Sequence, residues 1–192
     1  MKKGISFREV LISDARLILD WRTKPRVTSF MDTDVVYDIK SQQKWIATCY
    51  EKSHYYHWII QIDGNPIGLI NICDYDHRNH ITSWGFYLGD DASLGLGGFI
   101  PPYLYNFVFN NLDVEKISIH VFSNNKNVID LHKMHGYTLC PELNSSIQKN
   151  GQEIILIAME LNKLSWSNSK FIRFHFDFPT TLWNGRKYDQ NL

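Results

Sequence analysis

Apolar residues recur with helical or alternating spacing along the first quarter of the chain. Ile5 to Val10 alternates and predicts a first strand. Residues 15–21 carry apolar side chains at helical spacing, and Pro25 is expected to end this helix. Residues 27–36 predict a loop or an irregular helix, and residues 41–50 a second helix. The chain therefore begins with one strand followed by two helices.

The middle of the chain predicts three strands. His57 to Ile62 is almost entirely apolar and ends at Asp63-Gly64, the dipeptide that favours a tight hairpin turn. Residues 66–74 continue as the partner strand, and residues 81–88 alternate as another. An antiparallel run of strands is expected here.

Helices and strands alternate in the last third. A glycine cluster is expected to open a helix over roughly 97–112, with Pro101 and Pro102 in its first turn, where a missing N–H costs least. Asn125 begins a second helix, which Gly136 ends. The strands predicted in this part are Lys116 to Phe122, Thr138 to Leu143 and Glu153 to Leu161.

The predicted order is β-α-α-β-β-β-α-β-α-β-β, which indicates an α+β or mixed α/β fold around one central sheet. We expect one domain over residues 1–164 and a tail of unknown role over 165–192. Residues 170–178 alternate partly like a strand, and Asp189 to Leu192 is expected to fray. The tail could dock on the domain, cross to a partner subunit or bind something separately.

Composition narrows the partners. Basic and acidic residues both number 20, so no net field holds nucleic acid or an anionic membrane. The three cysteines form no Cys-x-x-Cys pair, no stretch of about 18 apolar residues could span a bilayer, and Met1-Lys2-Lys3 precedes no apolar signal segment. We expect a cytoplasmic protein that binds neither nucleic acid nor membranes.

The glycine cluster between a strand and a helix is the first candidate for chemistry. Glycine allows successive backbone N–H groups to face one point, and a helix N-terminus adds partial positive charge, so a phosphate is the natural ligand. Three commoner phosphate motifs fail here. Ile100 stands where G-x-G-x-x-G needs its third glycine, no Gly-Lys-Ser/Thr follows, and no set of kinase motifs accompanies the cluster. A plain glycine-rich connection is the alternative.

The second candidate is the segment from Asn125 to Tyr137. Asn125 follows a strand and is expected to cap a helix, and His132 lies two turns further along the same face. An amphipathic helix with surface histidines is the alternative. A metal site is not expected, because His132 with His135, like His77 with His80, lacks the acid of His-Glu-x-x-His and a third ligand.

These two motifs at this separation resemble the acetyl-CoA signature of the GNAT superfamily of N-acetyltransferases. The resemblance implies a mostly antiparallel mixed sheet flanked by helices and covers Ile5 to about Leu161. One departure is Ala92, where the family usually carries Gln or Arg. The cofactor-binding residues that it implies are Phe86, Tyr87 and Leu88 for the pantetheine arm, Leu94, Gly95, Leu96, Gly97 and Gly98 for the pyrophosphate, and Asn125 for the pantetheine end.

The resemblance also implies catalytic roles. His132 stands where the family often has a Tyr as general acid near the thioester sulfur, and an imidazole near its usual pKa of about 6.5 suits that role. The strand amide at Phe86 or Tyr87 is the expected oxyanion donor.

A narrower resemblance is to UDP-amino-sugar N-acetyltransferases of pseudaminic acid biosynthesis, which serve flagellin glycosylation. Residues 19–31 carry it. It implies a nucleotide-sugar acceptor bound by Trp21, Arg22 and Met31, and Lys24 and Arg26 nearby also favour an anionic acceptor. Candidates for the border of the same cleft are His54, Tyr55, Tyr56 and His57.

Other functions remain open at this stage. The acceptor could instead be a protein N-terminus, a ribosomal protein or a polyamine, and the chain could be an acyl-CoA-binding sensor without activity. A homodimer is compatible with the sequence.

Overall fold

The computed structural model describes residues 4–183; residues 1–3 and 184–192, including the segment Asp189 to Leu192 expected to fray, lie outside the described part. No helix within this part is long and apolar enough to cross a membrane. The chain divides into two compact units, one of residues 4–75, 85–97 and 176–183 and the other of residues 76–84 and 98–175. Each unit is described by itself below.

Within residues 4–183 the regular structure consists of eight strands and six α-helices. The strands are β1 (Ile5–Glu9), β2 (Tyr56–Ile62), β3 (Asn65–Asp76), β4 (Ile81–Leu88), β5 (Lys116–Phe122), β6 (Thr138–Leu139), β7 (Ser145–Lys149) and β8 (Gln152–Asn162). The helices are α1 (Ala15–Arg22), α2 (Pro25–Thr28), α3 (Ile39–Tyr50), α4 (Pro101–Asn111), α5 (Lys126–Met134) and α6 (Lys163–Trp166). The strand order is β1-β2-β3-β4-β5-β8-β6, with β7 also paired to β8. This confirms the predicted mixed sheet.

The first unit contains the predicted antiparallel run. β2 pairs with β1 and β3, and the β2–β3 turn uses Asp63 (φ 51°) and Gly64 (φ 81°) as the sequence predicted. Helices α1 and α3 pack on this sheet through a core cluster that includes Ile18, Ile46 and Ile59. Strand β4 starts in the second unit and continues into the first, where it ends.

The second unit is built on β5 and β8, which pair antiparallel over seven residues. The start of β4 pairs with β5 in parallel, joining Ile81 to Lys116 and Thr82 to Ile117. Helix α4 is buried along most of its length, consistent with its continuous run of aromatic and aliphatic residues. Helix α5 ends as predicted, with Gly136 at φ 96° just beyond its last turn.

Three element predictions are wrong. Residues 138–143 form a strand only at Thr138–Leu139 and then a 3-10 turn, Pro141–Leu143, because Pro141 has no N–H for a ladder. The glycine cluster does not open α4 directly: a 3-10 turn, Asp91–Leu96, precedes it, and α4 begins at Pro101. Residues 170–178 form no strand.

The described part of the tail instead packs through its aromatic rings. In the second unit, the Asn106 Nδ2 amide donates to the carbonyls of Phe171 (3.0 Å) and Phe174 (2.6 Å). In the first unit, the Phe178 ring stacks on Phe7 at 4.3 Å, and Trp183 is 1% exposed. The described tail therefore belongs to the packed structure, while the domain boundary at residue 164 stays a prediction.

Candidate functional site

The predicted site residues are distributed over both units. The first unit holds Trp21, Arg22, Met31, Phe86, Tyr87, Leu88, Leu94, Gly95, Leu96 and Gly97, and the second holds Gly98, Asn125 and His132.

The backbone of residues 94–98, the glycine turn, differs from the expectation. None of Gly95, Gly97 and Gly98 is among the described residues with positive φ, and Gly97 is right-handed helical (φ −51°, ψ −34°). Left-handed dihedrals therefore do not explain these glycines. A Cβ on Gly95 would meet no heavy atom of the described structure within 4 Å, and one on Gly97 nothing closer than 3.5 Å. The missing side chains leave the backbone of this turn open to approach by a ligand, as a diphosphate requires.

Helix α4 contributes less to an anion site than the sequence suggested. Its first two residues, Pro101 and Pro102, have no N–H, and the Tyr103 amide bonds to the Ile100 carbonyl at 3.2 Å. The amide donors for an anion must therefore come from the turn itself rather than from the helix end.

The second unit anchors the end of the glycine turn. His135 Nε2 lies 3.0 Å from the Gly98 carbonyl oxygen, and a Cβ on Gly98 would come within 3.3 Å of Leu131 Cδ1. Leu131 lies in helix α5, and His135 directly follows that helix. Sequence analysis missed His135 in this role, and only its position one helical turn from Leu131 hinted at a shared face.

Asn125 occupies the position before α5 but does not cap it with its side chain. Its carbonyl accepts from the amides of Val128 and Ile129, both at 3.1 Å, and no side-chain cap bond forms. The expected side-chain cap is therefore wrong. The amide side chain remains compatible with bonding a ligand.

His132 is buried, 4% exposed, and contacts the rings of Trp84 (5.7 Å between centroids) and Tyr137 (5.1 Å). Burial, with a smaller contribution from His135, lowers the pKa of His132 to about 3. The expectation of an imidazole near its usual pKa is therefore wrong, because the ring is neutral at neutral pH. Within the described part of the chain its Nδ1 has no hydrogen-bond partner.

Trp21 has a packing role. It is 6% exposed and belongs to the core cluster of α1, α3, β2 and β3. A Cβ on Gly89 would overlap the indole ring, so Gly89 covers one face of Trp21. Trp21 therefore packs in the core, and its place in the acceptor site stays a prediction.

Arg22 is a half-buried cation of the first unit. Its Nη2 donates to the Thr33 carbonyl at 2.7 Å, whereas its Nη1 is buried and has no hydrogen-bond partner among the described residues. Burial lowers the pKa of Arg22, and electrostatic interactions with Tyr87, Asp34, Tyr55 and Asp32 act in the opposite direction. A buried guanidinium N–H without an acceptor costs free energy, and an anion or a carbonyl oxygen beside it would remove this cost.

Lys24 and Arg26, expected near an anionic acceptor, are already engaged. Lys24 Nζ donates to the Gly89 carbonyl (2.8 Å) and pairs with Asp91 (3.2 Å), and Arg26 pairs with Asp91 through Nε (2.6 Å). Their expected role in favouring an anionic acceptor stays a prediction, and both side chains are bonded within the first unit. Met31 is half-buried, and its backbone amide donates to the Thr28 carbonyl at 3.1 Å.

The four residues His54 to His57 fall into different groups, because successive side chains of a strand point to opposite faces. Tyr55 and His57 share a cluster with Trp45 of α3, with His57 at 4.8 Å from Trp45 and 4.6 Å from Tyr55 between ring centroids. Tyr56 packs instead against Trp58 and Trp183, and His54 is exposed. Sequence analysis missed Trp45.

His57 is neutral, because burial and then the charge of Lys52 lower its pKa to about 3. Burial also raises the pKa of Tyr55 to about 12. The cluster of Trp45, Tyr55 and His57 is thus an uncharged aromatic group within the first unit. No group of three or more His, Cys, Asp or Glu in residues 4–183 could hold a metal ion.

Comparison with known proteins identifies the family. The model of the acetyltransferase (GNAT) domain matches residues 8–155. Acetyltransferase PseH of Campylobacter jejuni subsp. jejuni serotype O:23/36 is 22% identical over 142 residues, which cover 74% of this chain and 88% of that protein. PseH of serotype O:2 is 23% identical over the same coverage.

Solved structures share the fold. The spermidine N-acetyltransferase of Vibrio cholerae in complex with CoA and spermine is similar with a TM-score of 0.76, at 16% identity over 85% of this chain and 98% of that chain. A dodecameric form of that enzyme is similar with a TM-score of 0.72, at 13% identity over 85% of this chain and 96% of that chain. The chain belongs to the GNAT family and is an acetyl-CoA-dependent N-acetyltransferase.

Proposed function

We propose that this enzyme transfers acetyl from acetyl-CoA to the 4-amino group of a UDP-linked amino-deoxy-sugar, as in pseudaminic acid biosynthesis for flagellin glycosylation. The two curated relatives are both named PseH and match across 88% of their own length. Their identity to this chain is low, so the acceptor must be argued from the chain's own residues.

Arg22 carries the proposal. Its Nη1 is buried and has no partner in the described part of the chain, and a diphosphate oxygen would supply the missing acceptor. An anion would also compensate the desolvation that lowers the pKa of this guanidinium. A planar guanidinium binds a diphosphate more specifically than a lysine ammonium would. A cationic acceptor substrate would not supply a hydrogen-bond acceptor for Nη1.

The cluster of Trp45, Tyr55 and His57 supports the same acceptor class. Both the aromatic cluster and Arg22 belong to the first unit, and Tyr55 is among the groups that influence the pKa of Arg22. Neutral aromatic faces beside a cation suit the uracil or sugar ring of a nucleotide sugar. Met31 completes the proposed acceptor-binding residues, whereas Trp21 supports them from the core.

We assign the cofactor contacts as the family resemblance implies. The backbone of Phe86, Tyr87 and Leu88 is proposed to hold the pantetheine arm, and Asn125 its end. The amides of residues 94–98 are proposed to hold the pyrophosphate. The open surroundings of Gly95 and Gly97 support this assignment, because a bulky oxyanion must approach the backbone closely.

His132 is proposed to act as a neutral donor. The amine nitrogen attacks the thioester carbonyl carbon, the C–S bond breaks, and the amine loses a proton while the departing sulfur gains one. Because the pKa of His132 is about 3, its ring offers an N–H from the neutral form rather than from an imidazolium. Such a group stabilises the developing thiolate by hydrogen bonding, and the amine's own proton can pass to the sulfur through water.

A polyamine acceptor is the second candidate, favoured by one observation. Asp32 and Asp34 are exposed and lie close enough to Arg22 to act on its pKa, and carboxylates of this kind would attract a cationic amine. Thr28 Oγ1 donates to Asp34 at 2.8 Å, which fixes one of these carboxylates. A protein or ribosomal-protein acceptor has no comparable support. The cytoplasmic location and the homodimer stay predictions.

Mass spectrometry of products distinguishes the acceptors. The purified enzyme is incubated with acetyl-CoA and, separately, a UDP-4-amino-sugar, spermidine and a panel of N-terminal peptides. We expect a mass gain of one acetyl group on the UDP-4-amino-sugar. Acetylation of spermidine or peptides alone would contradict the proposal while leaving the family assignment intact.

A further inference from the structure

Lys24 and Arg26, at the beginning of helix α2, bond to the segment that leads from β4 into the glycine turn. Arg26 Nη1 donates to the Leu88 carbonyl at 2.7 Å and Nη2 to the Gly89 carbonyl at 2.9 Å. Arg26 Nε and Lys24 Nζ pair with the Asp91 carboxylate at 2.6 Å and 3.2 Å, and Lys24 Nζ also donates to the Gly89 carbonyl. We call Lys24, Arg26 and Asp91 the clamp.

Strand β3 also holds this segment, through one backbone carbonyl. The amides of Gly89 and Asp90 both donate to the Ile67 carbonyl, at 2.8 Å and 3.0 Å. Asp91 then begins the 3-10 turn Asp91–Leu96, in which Gly95 lies. The clamp therefore acts on the residue from which the glycine turn starts.

The hydrogen bonds of the clamp suit it for holding the backbone in place rather than for binding a ligand. Arg26 uses Nε, Nη1 and Nη2 on three acceptors, and two cations share one carboxylate. Both side chains reach across more than 60 residues of sequence, which closes a long loop onto the turn. Hydrogen bonds to two backbone carbonyls fix the position of the main chain itself, which a surface ion pair alone does not do.

We propose that Lys24 and Arg26 are positioning residues that pre-organise the glycine turn for the diphosphate of acetyl-CoA, without binding the diphosphate themselves. This rests on the proposed placement of the diphosphate at residues 94–98. Ala92 offers no long polar side chain at the position where the family usually has one. In this chain the order of the turn depends instead on the clamp, whose Asp91 directly precedes Ala92 in sequence.

Coenzyme A binding, measured by calorimetry on the full chain, tests the clamp. Arg26→Met and Asp91→Ala are each expected to weaken coenzyme A binding about tenfold, because the turn must then be ordered on binding. The matched control is Lys163→Met, which breaks a comparable exposed ion pair, Lys163–Glu115 at 2.8 Å, and should leave affinity unchanged. Thermal unfolding of each variant checks that it is folded, and Asp91→Ala serves if Arg26→Met is not.

The sign of the Asp91→Ala effect separates positioning from direct binding. If Lys24 and Arg26 contacted the diphosphate themselves, removal of their carboxylate partner would free positive charge and strengthen coenzyme A binding. The clamp requires the opposite result, so stronger or unchanged binding would overturn it.

A truncated donor provides a second readout. Acetyl-pantetheine lacks the diphosphate, so kcat/KM with this donor should be the same in wild type and Asp91→Ala. Arg26→Met does not serve for this readout, because Arg26 also holds the Leu88 carbonyl, in the segment proposed to hold the pantetheine arm. An equal loss with both donors would mean general damage and would overturn the positioning role. Wild-type enzyme that bound coenzyme A no better than pantetheine would instead refute the placement of the diphosphate at residues 94–98.

Discussion

At the scale of single residues, burial decides which protonation state each candidate group offers. The His132 ring lies among Trp84 and Tyr137, and the low dielectric disfavours its charged form. Arg22 is less deeply enclosed and keeps its charge, and its Nη1 has no acceptor among residues 4–183. We therefore propose different roles for the two groups, a neutral donor for His132 and anion binding for Arg22.

His132→Phe tests the neutral-donor role. The aromatic replacement preserves packing against Trp84, so we expect kcat to fall about 100-fold while coenzyme A affinity stays nearly unchanged. The wild-type pH profile of kcat should show no ionisation near 6.5 from this residue, because its pKa is about 3. Steady-state kinetics between pH 5 and 9 measures both. Unchanged kcat in the variant would reassign His132 to packing.

The residues predicted from sequence were those whose roles depend on local motifs. Gly136 was identified as a helix end because its left-handed backbone follows from local chemistry. The packing of Trp21 under Gly89 and the reach of Arg26 to Leu88 were missed, because both join positions more than 60 residues apart. One sequence carries no local signal for such contacts.

At the scale of elements, continuous periodic segments were predicted well and short ones were not. Strand β5 matches its predicted bounds, since its β-branched and aromatic residues have no competing pattern. Strand β7 was missed although Asn150 (φ 52°) and Gly151 (φ 75°) form a typical hairpin turn before β8. Its sequence, Ser-Ser-Ile-Gln-Lys, is largely polar and concealed the strand.

The tail segment ending at Trp183 gives a prediction at this scale. Trp183 stacks on Tyr56 at 5.3 Å, and its Nε1 donates to the Lys52 carbonyl at 3.2 Å. Trp183→Ala should lower the free energy of unfolding by about 3–5 kcal/mol, because it opens a large cavity and loses this bond. Urea unfolding measures it, with the neighbouring, more exposed Leu182→Ala as control. Equal small effects would show that the tail does not stabilise the first unit.

At the scale of the whole molecule, the order of elements was sufficient to predict the mixed sheet. The division into two compact units was not predicted, because it depends on which residues contact one another rather than on the sequence pattern. Balanced charge excluded a global attraction for nucleic acid, but the local cation at Arg22 only emerged from its burial.

Three buried histidines, His57, His132 and His135, make global stability depend on pH, because burial lowers the pKa of each. The shifts of two of them are large. The folded-state pKa values of His57 and His132 are about 3, below the unfolded value of about 6.5. Below pH 6.5 the unfolded chain therefore binds protons that the folded chain does not, so stability present at pH 7 is lost as pH falls. Between pH 7 and 5 each of these two histidines should cost about 2 kcal/mol.

Urea unfolding at pH 7 and 5 measures this loss. His132→Phe should remove about half of the pH dependence due to the two histidines. A free energy of unfolding that is independent of pH in this range would show that these rings are protonated in the folded protein.

The proposed acceptor class is tested most directly by kcat/KM of wild type and Arg22→Met with a UDP-4-amino-sugar and with the same 4-amino-sugar lacking UDP. We predict that wild type strongly prefers the UDP-linked acceptor and that Arg22→Met loses most of this preference, because the guanidinium binds the diphosphate. A preference that is absent in wild type, or that persists undiminished in Arg22→Met, would contradict this account.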